Sequence, residues 1–280
     1  MQDVMVHLDG TEGDEIRLVH AERLATLFGS HVTGLFTNLM PGVVLPAEAG
    51  VMAAEIISEM VESAQKTGKA TAEKLAARLD RLQNPHELRR LDVFPGEVGG
   101  RVAAEARWAD VFVALRPYAK EGPARWPEIV ESVLFESGRC LYVAPPGGAP
   151  AKAGYECILV AWNGTREATR AISEAMPLLR KARRVVVAVA GDEGASGPAA
   201  QEPGADIARH LVRQKIKVEL RNLRATSGDV ANAMLNEAQA LAADLIVMGG
   251  YGHSRFREWA MGGATRDMLH QAQVPLLLAH

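Results

Sequence analysis

Cysteine is almost absent from this chain, and so are three other features that mark whole classes of protein. The only two cysteines, Cys140 and Cys157, lie in apolar strand-like runs, so we expect buried, reduced thiols in a cytoplasmic protein. No apolar run approaches the roughly 18 residues of a membrane span, and the first residues lack the features of a secretion signal. The net charge is −3, which argues against nucleic-acid binding. We therefore expect neither a membrane nor a nucleic acid among the partners.

The motifs of common catalytic and metal sites are also missing. No serine lies in a Gly-x-Ser-x-Gly context, and no base–nucleophile pair is evident, so we predict no catalytic residues. A Walker loop is excluded because no Gly-Lys pair is followed by Ser or Thr. Histidines and cysteines do not cluster at metal-binding spacings, so we predict no metal site built from protein ligands.

What the chain does contain is the same order of segments twice. An apolar run ends in an Asx-Gly turn at Gly10 and again at Gly164. An Ala-Asp pair precedes another apolar run at Asp110 and again at Asp244. Equivalent positions are 154 residues apart at the first run but 134 apart at the later one, so the first half carries 20 extra residues. We place these in a long helical pattern after the second strand.

A Pro- and Gly-rich segment, 145–150, separates the two copies and is typical of a linker. The length of 280 residues also favours about two domains. We expect domains at 1–147 and 154–280, called the first half and the second half below.

Each half alternates strands with helices, and several strands are apolar throughout, as in a parallel sheet covered on both faces. The predicted fold class is therefore α/β, with two tandem doubly wound domains that each contain a five-stranded parallel sheet. Ligands of such sheets bind beyond the carboxyl ends of the strands, where the strand order reverses. Strands are expected near 3–8, 31–37, 87–94, 109–115, 140–144, 156–162, 184–190, 217–223, 244–249 and 274–279. Helices are expected near 14–28, 54–82, 97–107, 127–137, 165–181, 203–214, 227–242 and 263–272.

Glycines surround the end of the fourth strand of the second half. Gly249 is followed after two residues by Gly252 and after nine more by Gly262, and a helical pattern starts at once. Glycine lets the backbone approach a ligand closely, and a helix start offers free amides and a positive dipole end. These glycines either form a phosphate site or simply make tight turns. A phosphate site would use the amides of Gly262, Gly263, Ala264 and Thr265, together with the Thr265 hydroxyl.

This spacing resembles the Gly-x2-Gly-x9-Gly-Ser/Thr motif of the ATP-binding universal stress proteins, and the chain looks like two UspA-type domains in tandem. The resemblance implies an adenine nucleotide α-hydrolase-like fold, a pseudo-dimer inside one chain with paired fifth strands, and a further homodimer as an option. It implies a role in stress survival, with ATP or a related adenine nucleotide as ligand, with or without Mg²⁺. Its motif neighbours add to the predicted nucleotide site Ala161, Trp162, Asn163, Gly164, Val189, Ala190, Met248 and His253. The last is either a phosphate ligand or a solvated loop histidine.

Two positions depart from the family pattern. Gly263 stands where the motif has Ser or Thr, and Asn163 stands where ATP-binding relatives usually have Asp. An asparagine can still donate and accept hydrogen bonds, but it carries no charge. These departures bear on nucleotide affinity and identity.

The first half lacks the glycine motif, although Asp9 matches the family aspartate. Arg116 and Pro117 follow the fourth strand, and the next helix starts at Pro127-Glu128. Glu128 puts a carboxylate near the phosphate position, and Pro127 removes an amide. We therefore expect a degenerate site that has lost ATP binding.

Three functions from different classes follow. The first is a regulatory protein that holds an adenine nucleotide in its second half. The second is an interaction module of the same fold without a nucleotide. The third is a slow nucleotide hydrolase, which the missing base–nucleophile pair disfavours.

Overall fold

Strands and helices alternate within each half of the chain. The computed structural model describes residues 1–42, 50–118, 126–147, 154–191, 203–226, 228–251 and 263–280. The strands are β1 (Asp3–Leu8), β2 (His31–Leu39), β3 (His86–Val93), β4 (Val111–Leu115), β5 (Cys140–Ala144), β6 (Cys157–Ala161), β7 (Arg184–Gly191), β8 (Val218–Arg224), β9 (Leu245–Gly249) and β10 (Leu276–Ala279). The helices are α1 (Gly13–Phe28), α2 (Gly50–Leu79), α3 (Val98–Ala106), α4 (Pro127–Glu136), α5 (Arg166–Lys181), α6 (Ala205–Arg213), α7 (Val230–Ala240) and α8 (Gly263–Gln271).

The strands form one sheet in the order β3-β2-β1-β4-β5-β10-β9-β6-β7-β8. Within each half all neighbours are parallel, and the second half repeats the strand order of the first. The two halves join through β5 and β10, which pair antiparallel, with Leu277 opposite Tyr142. The predicted α/β class and the pairing of the fifth strands are therefore confirmed. The strand order reverses between β1 and β4 and between β6 and β9, which marks two places for a ligand.

Helices cover both faces of this sheet. One core contains side chains of α1, α2, α5 and α6, and the other contains side chains of α3, α4, α7 and α8. The central strands are buried on both faces, which explains their continuous apolar runs. Both cysteines are buried and free, as predicted. None of the helices in the described residues combines the length and apolarity that a bilayer crossing requires.

A buried polar cluster crosses the junction between the halves. The Arg23 guanidinium lies 3.9 Å from the ring centre of Tyr155, and the Tyr155 hydroxyl donates to that of Tyr142 at 3.4 Å. The His20 ring nitrogen lies 3.1 Å from the same Tyr142 oxygen. These contacts tie α1 and β5 of the first half to the start of the second, so the halves share one interior.

The Asx-Gly turns after β1 and β6 have the same backbone conformation. Gly10 has φ of 78° and Gly164 has φ of 75°, a left-handed geometry that glycine adopts without strain. In both turns the Asx side chain accepts hydrogen bonds from the threonine two residues later, Thr11 or Thr165. Thr165 also caps α5 by accepting the Ala168 N–H at 3.3 Å. The repeated sequence therefore produces the same turn twice, at both switch points.

Candidate functional site

An open cavity lies at the switch point of the second half, between the carboxyl ends of β6 and β9. Its volume is about 410 Å³, within the range of roughly 300–1,000 Å³ that is usual for small-molecule sites. One wall is formed by Ala161 and Asn163 after β6, and another by Met248 and Gly249 of β9. The place is the one that the topology indicates for a ligand.

Most of the predicted site residues that the structure describes line this cavity. They are Ala161, Trp162, Asn163, Ala190, Met248, Gly249, Gly263, Ala264 and Thr265. Gly164 and Val189 are not among the lining residues; a methyl group added at Gly204 would lie 2.8 Å from the Val189 side chain, so Val189 packs toward α6. Gly252, His253 and Gly262 lie outside the described residues. Sequence reasoning missed Thr165, Glu167, Val230, Ala231, Met234, Tyr251 and Met268.

The missed residues fall into two groups. Val230, Ala231 and Met234 come from α7, whose contribution no sequence motif marked, although an apolar helix face at this edge was a usable signal. The other four lie within three residues of predicted positions and are Thr165, Glu167, Tyr251 and Met268. Their side-chain directions depend on the helix start and on the loop conformation, which spacing alone does not reveal.

Gly249 permits close contact between the end of β9 and the start of α5. A Cβ atom at this position would lie 2.6 Å from the Ala168 amide nitrogen and 2.7 Å from the Glu167 carbonyl carbon. Both are backbone atoms, so the clash could be relieved only by moving the helix. The backbone of Gly249 is not left-handed, so the requirement for glycine here is one of space.

Replacing Gly249 with alanine is expected to destabilise the protein by about 1–3 kcal/mol, the usual cost of overpacking. Gly263→Ala is a matched control, because among the described residues its Cβ atom would meet nothing closer than the Asp267 carboxylate at 3.8 Å. That variant is expected to stay within about 0.5 kcal/mol of the wild type. Urea unfolding at pH 7 measures both, and equal stabilities would contradict the steric role of Gly249.

The first turn of α8 faces this cavity through Gly263, Ala264 and Thr265. The amides of a first turn have no partner inside their own helix, and the helix dipole adds partial positive charge. The Thr265 hydroxyl accepts the Tyr251 N–H at 3.2 Å, which joins the helix start to the end of β9. Tyr251 itself has φ of 52°, unusual for a non-glycine residue. This arrangement can accept an anionic group.

The polar side chains of the cavity are few. Asn163 is held by Thr165, which donates to its carbonyl oxygen through N–H and hydroxyl. Glu167 is the single charged side chain among the described lining residues, and it pairs at 2.5 Å with Arg166, whose side chain is 81% exposed. Since no basic side chain is among those lining residues, backbone amides are the anion-binding groups that they offer.

The equivalent place in the first half is closed. Only about 10 Å³ remains there, no more than one water needs. The Trp126 indole N–H donates to Asp9 at 2.7 Å, and the Arg17 guanidinium lies 2.5 Å from both Asp9 and Asp14. Leu115 also lines the remaining space. Side chains therefore occupy the volume that is open at the equivalent place in the second half.

The burial and the charged neighbours of the closed site shift the pKa values of its ionisable side chains. Burial raises the pKa of Asp9, but the charge of Arg17 and the hydrogen bonds from Thr11 and Trp126 together outweigh burial and hold that pKa well below the usual range. Burial raises the pKa of Asp14, and Arg17 only partly offsets it. Burial, reinforced by Arg17, lowers the pKa of His7 to about 3, so this ring is neutral.

Comparing the halves position by position shows how one site closed. Arg17 corresponds to Ala171, and Leu115 corresponds to Gly249. Gly13, which corresponds to Glu167, makes room for Leu115, whose methyl carbon would lie 3.1 Å from a Cβ atom at Gly13. The glycine at the strand–helix contact is thus on the helix in one half and on the strand in the other.

No curated protein matches the chain. The model of the Universal stress protein family matches residues 154–280. The chain is similar to the crystal structure of a universal stress protein from Archaeoglobus fulgidus, with a TM-score of 0.70, 16% identity, and coverage of 99% of this chain and 95% of that one. A functionally unknown protein from Pseudomonas aeruginosa is also similar, with a TM-score of 0.65, 13% identity, and coverage of 100% and 92%.

At these identities the structural likeness establishes the fold of the whole chain and nothing beyond the fold. The match to the universal stress protein family model covers residues 154–280, the second half of the chain.

Proposed function

We propose that the protein is a cytoplasmic regulatory protein that binds ATP or a related adenine nucleotide in the cavity of its second half. In this proposal the chain has two domains, 1–147 and 154–280, of which the first has lost its nucleotide site. The observation that carries the proposal is the open cavity bounded by the first turn of α8, opposite a closed first-half counterpart.

The cavity lining has an apolar part that suits the base of a nucleotide and a polar part that suits its phosphates. Met234, Met248 and Ala190 provide an apolar surface for a base, and Asn163 offers an amide that can both donate and accept. The amides at Gly263 and Ala264 suit phosphate oxygens because they carry partial positive charge without a side chain. The glycine spacing resembles that of ATP-binding relatives and supports the same placement of the base and the phosphates.

The alternative of an interaction module without a nucleotide has specific support in two residues. Glu167 adds an acidic residue to the cavity lining, which is unfavourable for a phosphate, and Gly263 lacks the hydroxyl of the family motif. A ligand that carries Mg²⁺ would reduce the first conflict. Binding experiments with and without Mg²⁺ therefore separate the two functions.

ATP at a hundred times its Kd is expected to stabilise the protein by about 2.7 kcal/mol, through binding to the folded state alone. The measurement is thermal unfolding across an ATP series with and without Mg²⁺, with mass spectrometry of nucleotide released from the purified, denatured protein. No shift at millimolar ATP under either condition, and no released nucleotide, would overturn the proposal.

Gly263→Glu tests the site itself. The added side chain has open space, so it should fold normally, and a carboxylate at a helix start even favours the helix. It places a negative charge where the phosphates bind, as Glu128 does at the start of α4 in the first half. ATP-dependent stabilisation should disappear in this variant and persist in Gly263→Ala. Equal shifts in the two variants would exclude phosphate binding at α8.

A further inference from the structure

Two adjacent glycines at the end of β9 make room for different neighbours. Gly249 makes room for the start of α5, beside the cavity. Gly250 makes room for α4 of the first half, since a Cβ atom there would lie 2.7 Å from a methyl carbon of Leu134. The Gly250 N–H donates to the Ala279 carbonyl at 2.9 Å, which fixes this residue beside β10. Gly250, the first residue after β9, is therefore in close contact with the first half.

The next residue, Tyr251, extends this contact to the cavity. Its ring lines the cavity and also lies 5.3 Å, centre to centre, from the ring of Phe135 in α4. Phe135 makes an edge contact with His280 at 4.8 Å, and a His280 ring nitrogen lies 3.0 Å from the Gly250 carbonyl oxygen. Phe135 thus lies between Tyr251 and the last residue of the chain. A side chain of the first half supports one wall of the second-half cavity.

The opposite end of α4 is fixed in the closed first-half site. Trp126 precedes the helix and bonds to Asp9, and Ile129 and Val130 line the small space that remains. The ten residues of α4 extend for about 15 Å. One rigid helix therefore connects the closed site with the loop of the open one.

We infer that α4 is a positioning element for the ligand cavity of the second half, and that Phe135 is the residue through which it holds Tyr251 in place. The closed first-half site then serves to hold the start of α4 in place. The ligand part of this inference rests on the proposed nucleotide function, but the positioning of Gly250 and Tyr251 does not.

The chain provides its own control for this contact. On the other side of the junction, the Tyr118 ring of the first half stacks on His270 of α8, with centres 4.2 Å apart and an angle of 9°. Phe135 and His270 occupy equivalent positions in the last helix of each half. Tyr118→Ala therefore removes a comparable aromatic contact across the junction and leaves the ring pair of Phe135 and Tyr251 in place.

The test compares full-length Phe135→Ala with Tyr118→Ala. The amides of Gly250 and Tyr251 have defined acceptors, so amide hydrogen exchange of the ligand-free protein reports directly on their positions. Phe135→Ala should accelerate their exchange by about 3- to 10-fold, the range expected for loss of one aromatic pair. It should weaken ATP binding, measured by calorimetry, by a similar factor. Tyr118→Ala should change neither quantity, although both variants lower Tm.

Unchanged exchange at Gly250 and Tyr251 in Phe135→Ala, or an equal acceleration in Tyr118→Ala, would overturn the inference. If the alanine variant does not fold, Phe135→Leu keeps most of the packing volume and tests the aromatic contact by the same exchange measurement. Failure of the wild type to bind ATP would overturn the proposed function alone, since the exchange experiment needs no ligand.

Discussion

Replacing Arg17 with methionine is expected to destabilise the protein by about 3–5 kcal/mol, the usual cost of removing one partner from a buried ion cluster. The guanidinium lies 2.5 Å from both Asp9 and Asp14, and the three side chains are 2%, 4% and 9% exposed. Methionine fills much of the same volume, so the loss is mainly electrostatic. Without Arg17, two carboxylates share a site that water hardly reaches. Urea unfolding at pH 7 measures the change.

The second half supplies a matched control for this experiment. Its residues at the three positions are Asn163, Ala168 and Ala171, none of them charged. Transferring them to the first half, as Asp9→Asn, Asp14→Ala and Arg17→Ala together, removes the three charges of this cluster and opens space. The loss of unfolding free energy in the triple variant should be smaller than the sum of the losses in the three single variants. The reason is that the effects of substitutions at contacting residues are not additive. A cost below about 1 kcal/mol for Arg17→Met would mean that the cluster is solvated like a surface pair.

The sequence predicted the elements of this fold well because its signals are local and repeated. All ten predicted strands and eight predicted helices have counterparts, with ends shifted by a few residues. Apolar runs, Asx-Gly turns and the glycine spacing each depend on neighbours in the chain. The continuous ten-stranded sheet follows from one further step, the pairing of β5 with β10.

The sequence predicted a degenerate first-half site, but it did not predict that side chains fill the site. Sequence reasoning assigned the loss of ATP binding to Glu128 and to the missing amide of Pro127, whereas Glu128 is exposed. Trp126, Arg17 and Leu115 occupy the space instead. Their directions depend on the helix faces and on contacts across 100 or so residues of chain, for which spacing carries no signal.

The two halves show how a shared fold can diverge at a few positions. Exchanging small and large residues between the strand end and the helix start preserves their contact in both halves, yet it determines whether the cavity is open. Adding Arg17 requires Asp9 and Asp14 for charge balance, and Asp9 then also binds Trp126. A site closed by packed and ion-paired side chains is rigid. This rigidity suits a first half whose α4 positions the cavity of the second half.

Acid is expected to weaken the protein through His7, by about 2 kcal/mol between pH 7 and pH 5, and replacing this residue should remove that loss. The ring is 1% exposed, next to Arg17 and edge-on to Trp126 at 5.5 Å. Burial and Arg17 lower its pKa to about 3, against roughly 6.5 in an unfolded chain. Between these values the unfolded chain binds a proton that the folded protein does not. The stability is therefore present above about pH 6.5 and falls by about 1.4 kcal/mol per pH unit as the pH drops toward the folded pKa.

His7→Gln keeps a hydrogen-bond acceptor for Arg17 and removes the titration. The measurement is the free energy of unfolding in urea at pH 7, 6 and 5. The quantity compared between proteins is its slope against pH, because the substitution also changes packing, and that effect is the same at every pH. The slope should be shallower in His7→Gln by about 1 kcal/mol per unit below pH 6. His210→Gln, a change of the same kind at an exposed position of α6, is the control for the substitution itself. Parallel slopes in all three proteins would show that His7 takes up its proton in the folded state, which is incompatible with a dry, arginine-filled site.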